Sequence, residues 1–208
     1  MIGKILTYHS RGKIAQPTHA VFLFPGRGWC AENMFNRFVH LMDIPQLVVF
    51  SIEPEHEWYP MPNGANDQKD AVKGLNKNWP EVEKQMLNLL EENKITTEKT
   101  FLIGFSSGAV LSIEIATKSN FEYAAIFSHS GAVLEPENMI LCKKKTKFFL
   151  IHSEDDNCFS WQERFIPMRD CLVENKYPIE VLQKKYGGHS IYQDDSNDIC
   201  NKIKIMTA

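Results

Sequence analysis

Six apolar runs rich in β-branched and aromatic residues punctuate the chain: HAVFLF (His19–Phe24), LVVFSI (Leu47–Ile52), TFLIGF (Thr100–Phe105), YAAIFS (Tyr123–Ser128), KFFLIHS (Lys147–Ser153) and IEVLQ (Ile179–Gln183). A strand that is apolar on both sides of its pleat has no face to offer water, so it must be covered on both sides. Segments with helical spacing lie between the runs. Ala31–Leu41 puts Phe35, Phe38 and Val39 on one side, and the segment from about Asp67 to Asn93 carries Val82, Met86, Leu89 and Leu90. Ser107–Lys118, Trp161–Asn175 and Ser190–Ile205 also read as helical. The alternation predicts an α/β class: one mostly parallel sheet flanked by helices on both faces. No repeat or linker divides the 208 residues, a length that suits one domain.

In such sheets ligands bind beyond the carboxyl ends of the strands, so the residues after each run are the informative ones. After TFLIGF the chain reads G-F-S-S-G, Gly104–Gly108, a match to G-x-S-x-G centred on Ser106. A sharp strand-to-helix turn there would expose the Ser106 hydroxyl at the top of the sheet, facing the amides of the helix that begins at Ser107. Serine needs a base to take its proton. Of seven histidines, His189 follows the last run in Y-G-G-H-S, while His129, after YAAIFS, is second choice. His9 and His19 belong to the opposite edge, and His152 packs. The imidazole in turn needs a carboxylate to fix its tautomer. IHSEDDNCFSW offers Glu154, Asp155 and Asp156 in a row. The loop FPGRGW (Phe24–Trp29) follows an early strand, and its glycines can bring backbone close to a substrate. The amides of Arg27 and Ser107 are the expected oxyanion donors.

Composition removes other classes. Net charge is −3 with a pI near 6.2, which gives no case for nucleic acid or an anionic membrane. The lysines at 143, 144, 145 and 147 read as a solvated loop. Five cysteines with no CxxC point to free thiols in a reducing cytoplasm. The N-terminus is too polar for a signal peptide, and no run reaches the roughly 20 apolar residues of a membrane span.

With LFPGRGW, WYPMPNG (Trp58–Gly64), GFSSG, IHSEDDNCFSW and GGHS in order, the chain resembles an α/β-hydrolase, and more narrowly the phospholipase/carboxylesterase family. The resemblance runs from about His19 to the C-terminus. It implies the α/β-hydrolase fold without a large lid domain. It also implies a serine esterase that cleaves small carboxylic esters through an acyl-enzyme, with Ser106 as nucleophile, His189 as base and no metal or cofactor. The family's spacing after the penultimate strand selects Asp156 as the acid, with Asp155 as runner-up. Where relatives carry H-G-x-G, this chain has Pro25-Gly26-Arg27-Gly28. Where the acyl-protein thioesterases carry glutamine after the nucleophile, it has Ser107. Gly26, Trp29, Trp58, Tyr59, Met61 and His129 are expected to line the pocket. Acyl-protein thioesterase or lysophospholipase activity, and a catalytically silent binding protein, are the alternatives. A homodimer stays open.

Overall fold

The computed structural model describes residues 2–10, 16–61, 67–142 and 144–208. Seven strands, β1 (Ile2–His9), β2 (His19–Phe24), β3 (Leu47–Pro54), β4 (Thr100–Phe105), β5 (Ala125–His129), β6 (Lys147–Ser153) and β7 (Ile179–Lys184), form one sheet in the order β1-β3-β2-β4-β5-β6-β7. Every neighbouring pair is parallel except β1 with β3. The helices are α1 (Ala31–Arg37), α2 (Asp67–Asn93), α3 (Ser107–Lys118), α4 (Ile166–Glu174) and α5 (Gln193–Thr207). No helix among the described residues is long and apolar enough to cross a membrane.

The pleat explains the layers. Ala20, Phe22 and Phe24 point to one face of the sheet, where they pack with Leu75 and Met86 of α2, Leu111 and Ile115 of α3 and Leu172 of α4. Val21 and Leu23 point to the other, against Met34 of α1 and Ile199 and Ile203 of α5. Both faces of β2 are therefore dry, as its unbroken apolar run requires.

The six expected strands are present; β2, β4 and β6 have the expected ends, and those of β3, β5 and β7 shift by one or two residues. β1 was not expected. It is an edge strand with no buried residue, a mixture of half-buried and exposed positions, so it carries no core signal. The helix expected over Ala31–Leu41 ends at Arg37 and gives way to a 3₁₀ turn at Val39–Asp43. The helix expected from Trp161 opens as a five-residue π-type turn, Trp161–Phe165, before α4. Part of the WYPMPNG loop, at 62–64, and Lys143 lie outside the described residues.

β2 is followed by β3 on one side, and the chain then crosses over to β4 on the other. The reversal opens a crevice at the carboxyl ends of β2 and β4, the usual ligand position in an open α/β sheet. Arg27 follows β2 and Ser106 follows β4.

Candidate active site

Ser106 occupies the turn between β4 and α3 with φ 53° and ψ −119°. A positive φ is costly for a residue with a Cβ, and it persists only where the surroundings impose it. Here they do. The Ser106 N–H donates to the carbonyl of His129 at 2.9 Å, and its own carbonyl accepts from Ala109 and Val110 in the first turn of α3. The flanking glycines let α3 press against the sheet. A Cβ on Gly104 would meet Ser112 Oγ at 2.1 Å, and one on Gly108 would meet the Phe24 carbonyl at 2.1 Å.

His189 lies in the segment between β7 and α5. Its Nε2 is 2.8 Å from Ser106 Oγ, and its Nδ1 is 2.8 Å and 3.0 Å from the two carboxylate oxygens of Asp156. Asp156 Oδ1 also accepts from the amides of Cys158 and Phe159 at 2.9 and 2.8 Å. Burial alone would raise the Asp156 pKa. The His189 bond and the two amides outweigh it and hold the carboxyl below its ordinary value. Asp155 points elsewhere, and its Oδ1 accepts from the Gly188 amide at 2.8 Å. Glu154 faces Gln183. The structure thus brings Ser106, His189 and Asp156 into one hydrogen-bonded line and leaves the two neighbouring acids outside it.

The loop after β2 is anchored from beneath. Trp58 Nε1 donates to the Pro25 carbonyl at 2.8 Å. Arg27 pairs with Glu57 and donates from Nη2 to the Tyr59 carbonyl at 3.1 Å. Among the described residues, the amides of Arg27 and Ser107 have no acceptor. Both residues line a cavity of about 200 Å³ with Gly26, Trp29 and Trp58, and Cys30, Glu53, His56 and Glu57 give it a polar wall. The 200 Å³ cavity reaches Ser107 but is not lined by Ser106, His189 or Asp156, and neither is a larger cavity of about 770 Å³ between α2, the segment at Val133–Glu137 and the Trp161–Phe165 turn. The lining of the larger cavity carries Lys69, Lys73, Arg164, Glu135, Glu137 and Glu163.

Three expected rim residues lie outside the 200 Å³ cavity. Tyr59 is 1% exposed, its ring packed in the core, so only its backbone serves the loop. Met61 is exposed and does not line the cavity. His129 is fully buried because β5 runs one residue further than its apolar run suggests. Its register partner is Phe105, so its ring belongs to the face of the sheet rather than to the rim. Sequence reasoning missed Phe105, whose ring lies 4.9 Å from Trp29, 5.7 Å from His129 and 5.1 Å from His189. It also missed Lys184 and Asp195, which pair beneath the His189 segment. An acidic residue near a helix start reads as a cap, and nothing in the sequence marks this one as buried.

Among the described residues, two groups have the geometry to hold a metal ion: Asp156 with Cys158 and His189, and Cys30 with Glu32 and Glu53. In the first, Asp156 and His189 are already bonded to each other. In the second, Glu32 pairs with Lys4 and Glu53 accepts from the Ala31 amide.

The family profile described as Phospholipase/Carboxylesterase matches residues 22–207. Among solved structures, esterase PE8 superposes with a TM-score of 0.83 at 17% identity, covering 97% of each chain. A phospholipase/carboxylesterase from Dyadobacter fermentans gives 0.75 at 20% identity, covering 96% of this chain and 95% of that one. The Bacillus cereus carboxylesterase gives 0.72 at 16% identity, with coverages of 99% and 95%. At these identities the likeness is one of fold. No curated protein matches the sequence.

Proposed function

Because the chain belongs to the phospholipase/carboxylesterase family of hydrolases, we propose that it is a serine esterase acting on small carboxylic esters. The observation that carries this reading is the 2.8 Å contact between His189 Nε2 and Ser106 Oγ at a strained strand-to-helix turn. In the proposed reaction His189 Nε2 takes the Ser106 proton as Oγ bonds to the ester carbonyl carbon. The oxyanion that forms is met by the amides of Arg27 and Ser107. The C–O bond to the leaving alcohol then breaks, and His189 returns the proton to that oxygen. Water, deprotonated by His189, then attacks the acyl-Ser106 carbonyl; the C–Oγ bond breaks, His189 returns the proton to Oγ, and the acid leaves. Asp156 keeps the Nδ1–H tautomer, so that Nε2 is the free base.

The size and chemistry of the cavity beside Ser107 support short substrates. At about 200 Å³ it is smaller than the roughly 300–1,000 Å³ of a usual ligand pocket. Its Glu53, His56 and Glu57 wall suits a short polar or hydroxylated group better than a long fatty acyl chain. The long-chain thioesterase and lysophospholipase readings draw no support from this cavity.

The test is hydrolysis of p-nitrophenyl esters from acetate to octanoate by the wild type, Ser106→Ala and Ser107→Ala. Activity should peak at the short end, vanish in Ser106→Ala and survive in Ser107→Ala, which keeps its amide. Wild-type turnover by Ser106→Ala would refute the assignment. Failure of the wild type both to turn over and to react with a fluorophosphonate would favour a silent binding protein.

A further inference from the structure

A second cluster of ionisable side chains lies beside the site and takes no part in the chemistry proposed above. Asp195, in the first turn of α5, is 2% exposed, and His129, at the end of β5, is fully buried. His129 Nε2 lies 3.3 Å from Asp195 Oδ2, and Lys184, the last residue of β7, pairs with Asp195 Oδ1. Asp195 Oδ2 also accepts from the amide of Tyr192 at 2.8 Å. Burial would raise the Asp195 pKa, but His129 and Lys184 outweigh it and bring the carboxyl down to about 2. The group is charged at any working pH.

The connectivity gives the cluster its meaning. His189 sits in the eight-residue stretch 185–192, between Lys184 and the start of α5. Lys184 precedes that stretch and Tyr192 ends it, so the Asp195 carboxylate ties both ends together. The third tie, His129, is the residue whose carbonyl accepts the Ser106 N–H at 2.9 Å. The Phe105 ring lies within 6 Å of both His129 and His189. One buried carboxylate therefore links the base-bearing stretch to the strand end that fixes the nucleophile. A buried charge is expensive unless it is fully paired, and a hydrophobic staple would close the same stretch at less cost. What the ionic version adds is a fixed meeting point: one carboxylate oxygen takes the Tyr192 hydrogen bond and faces the His129 ring at 3.3 Å, and the other faces the Lys184 ammonium, with His129 Nε2 and Asp195 Oδ1 held by charge contact rather than by a hydrogen bond.

We infer that Asp195, bridged to His129 and Lys184, is a positioning residue that holds His189 in register with Ser106. The inference rests on His189 being the base in the proposed reaction.

The experiment compares wild type, Asp195→Asn and the gentler Lys184→Met on p-nitrophenyl acetate, each assayed below its unfolding temperature. Alongside, proton NMR follows the downfield resonance of the proton shared by His189 Nδ1 and Asp156. Misplacing a reacting group by an ångström costs up to about a hundredfold in rate, so kcat should fall about tenfold or more with KM within about twofold. The downfield resonance should broaden or disappear in the same variants. A residue that only stabilises the fold would leave the resonance and kcat of the folded enzyme unchanged, and that result in both variants would overturn the inference. Should Asp195→Asn fail to fold, Lys184→Met decides by the same criteria. Wild-type turnover by Ser106→Ala would sink the proposed function instead, while the resonance would still report on how His189 is held.

Discussion

Gly108 backs onto the carbonyl of Phe24 so closely that a Cβ would sit 2.1 Å from the oxygen. The neighbour is main chain on a central strand, which cannot rotate aside. Gly108→Ala should therefore destabilise the protein by about 2–3 kcal/mol, the upper part of the usual overpacking range. In a chain of this length that lowers Tm by about 5–10 °C. Phe24 leads into the loop bearing Arg27, so esterase activity should fall at temperatures where the variant remains folded. Unchanged Tm and kcat would show that α3 can move away from the sheet.

Asp155 and Asp156 are neighbours with different partners. Asp156→Asn leaves the shape of the turn but favours the wrong His189 tautomer, and kcat should drop by about a thousandfold or more. Asp155→Asn weakens one bond, to the Gly188 amide, and should cost less than about tenfold in rate. Steady-state kinetics on one short ester separates them. A larger loss from Asp155→Asn would reverse the roles assigned to the pair.

Acid should destabilise the protein in two stages. His152 is buried, which lowers its pKa from 6.5, so below about pH 6.5 the unfolded chain takes up a proton that the native state refuses. Asp195 has the opposite starting charge and the same outcome. Its folded pKa of about 2 lies under the ordinary 3.8, so its contribution is complete above about pH 4 and disappears as pH falls through 2. Its full size at neutral pH is about 2 kcal/mol. Thermal unfolding followed from pH 7.5 to pH 3 should show Tm declining below 6.5 and more steeply below 4. His152→Gln should make the upper stage shallower, leaving the part carried by His19, whose burial also lowers its pKa. A wild-type Tm that holds constant across the range would contradict both assignments.

The side chain of Arg27 and its amide do different things. Arg27→Ala removes the Glu57 and Tyr59 ties but leaves the amide in place, so kcat should fall by several-fold rather than by the roughly hundredfold or more expected when an oxyanion donor is lost. Trp58→Phe frees the Pro25 carbonyl from its 2.8 Å bond and should cost about 1–2 kcal/mol of stability, read by urea unfolding. A hundredfold loss of kcat in Arg27→Ala would mean that the loop collapses without its side-chain ties.

Much of this was legible because the chain's strongest signals are local. Apolar runs set β2 to β7, and G-F-S-S-G could mark Ser106 because a strand must reverse into a helix there with glycines on both sides. What the sequence hid depends on distant partners or on which way a turn faces. β1 pairs through its backbone at an exposed edge, where side chains carry little pattern. Asp155 and Asp156 are equivalent on paper, and only the fold of the turn shows that the second meets the Cys158 and Phe159 amides. His129 looked like a rim residue because its strand was expected to end at Ser128. One further pleat carries its ring under the surface. Asp195 could not be distinguished from the acidic residues around it, since its partners come from β5 and β7.

The His129 carbonyl that holds Ser106 belongs to the same residue whose ring reaches Asp195. Ser106 and His189, the proposed nucleophile and base, would then share a common footing rather than sit on two independently wandering loops. On the proposed reading, the gap the proton must cross is set by a residue that never meets the substrate, which would leave the surrounding loops free to change with the ester they receive.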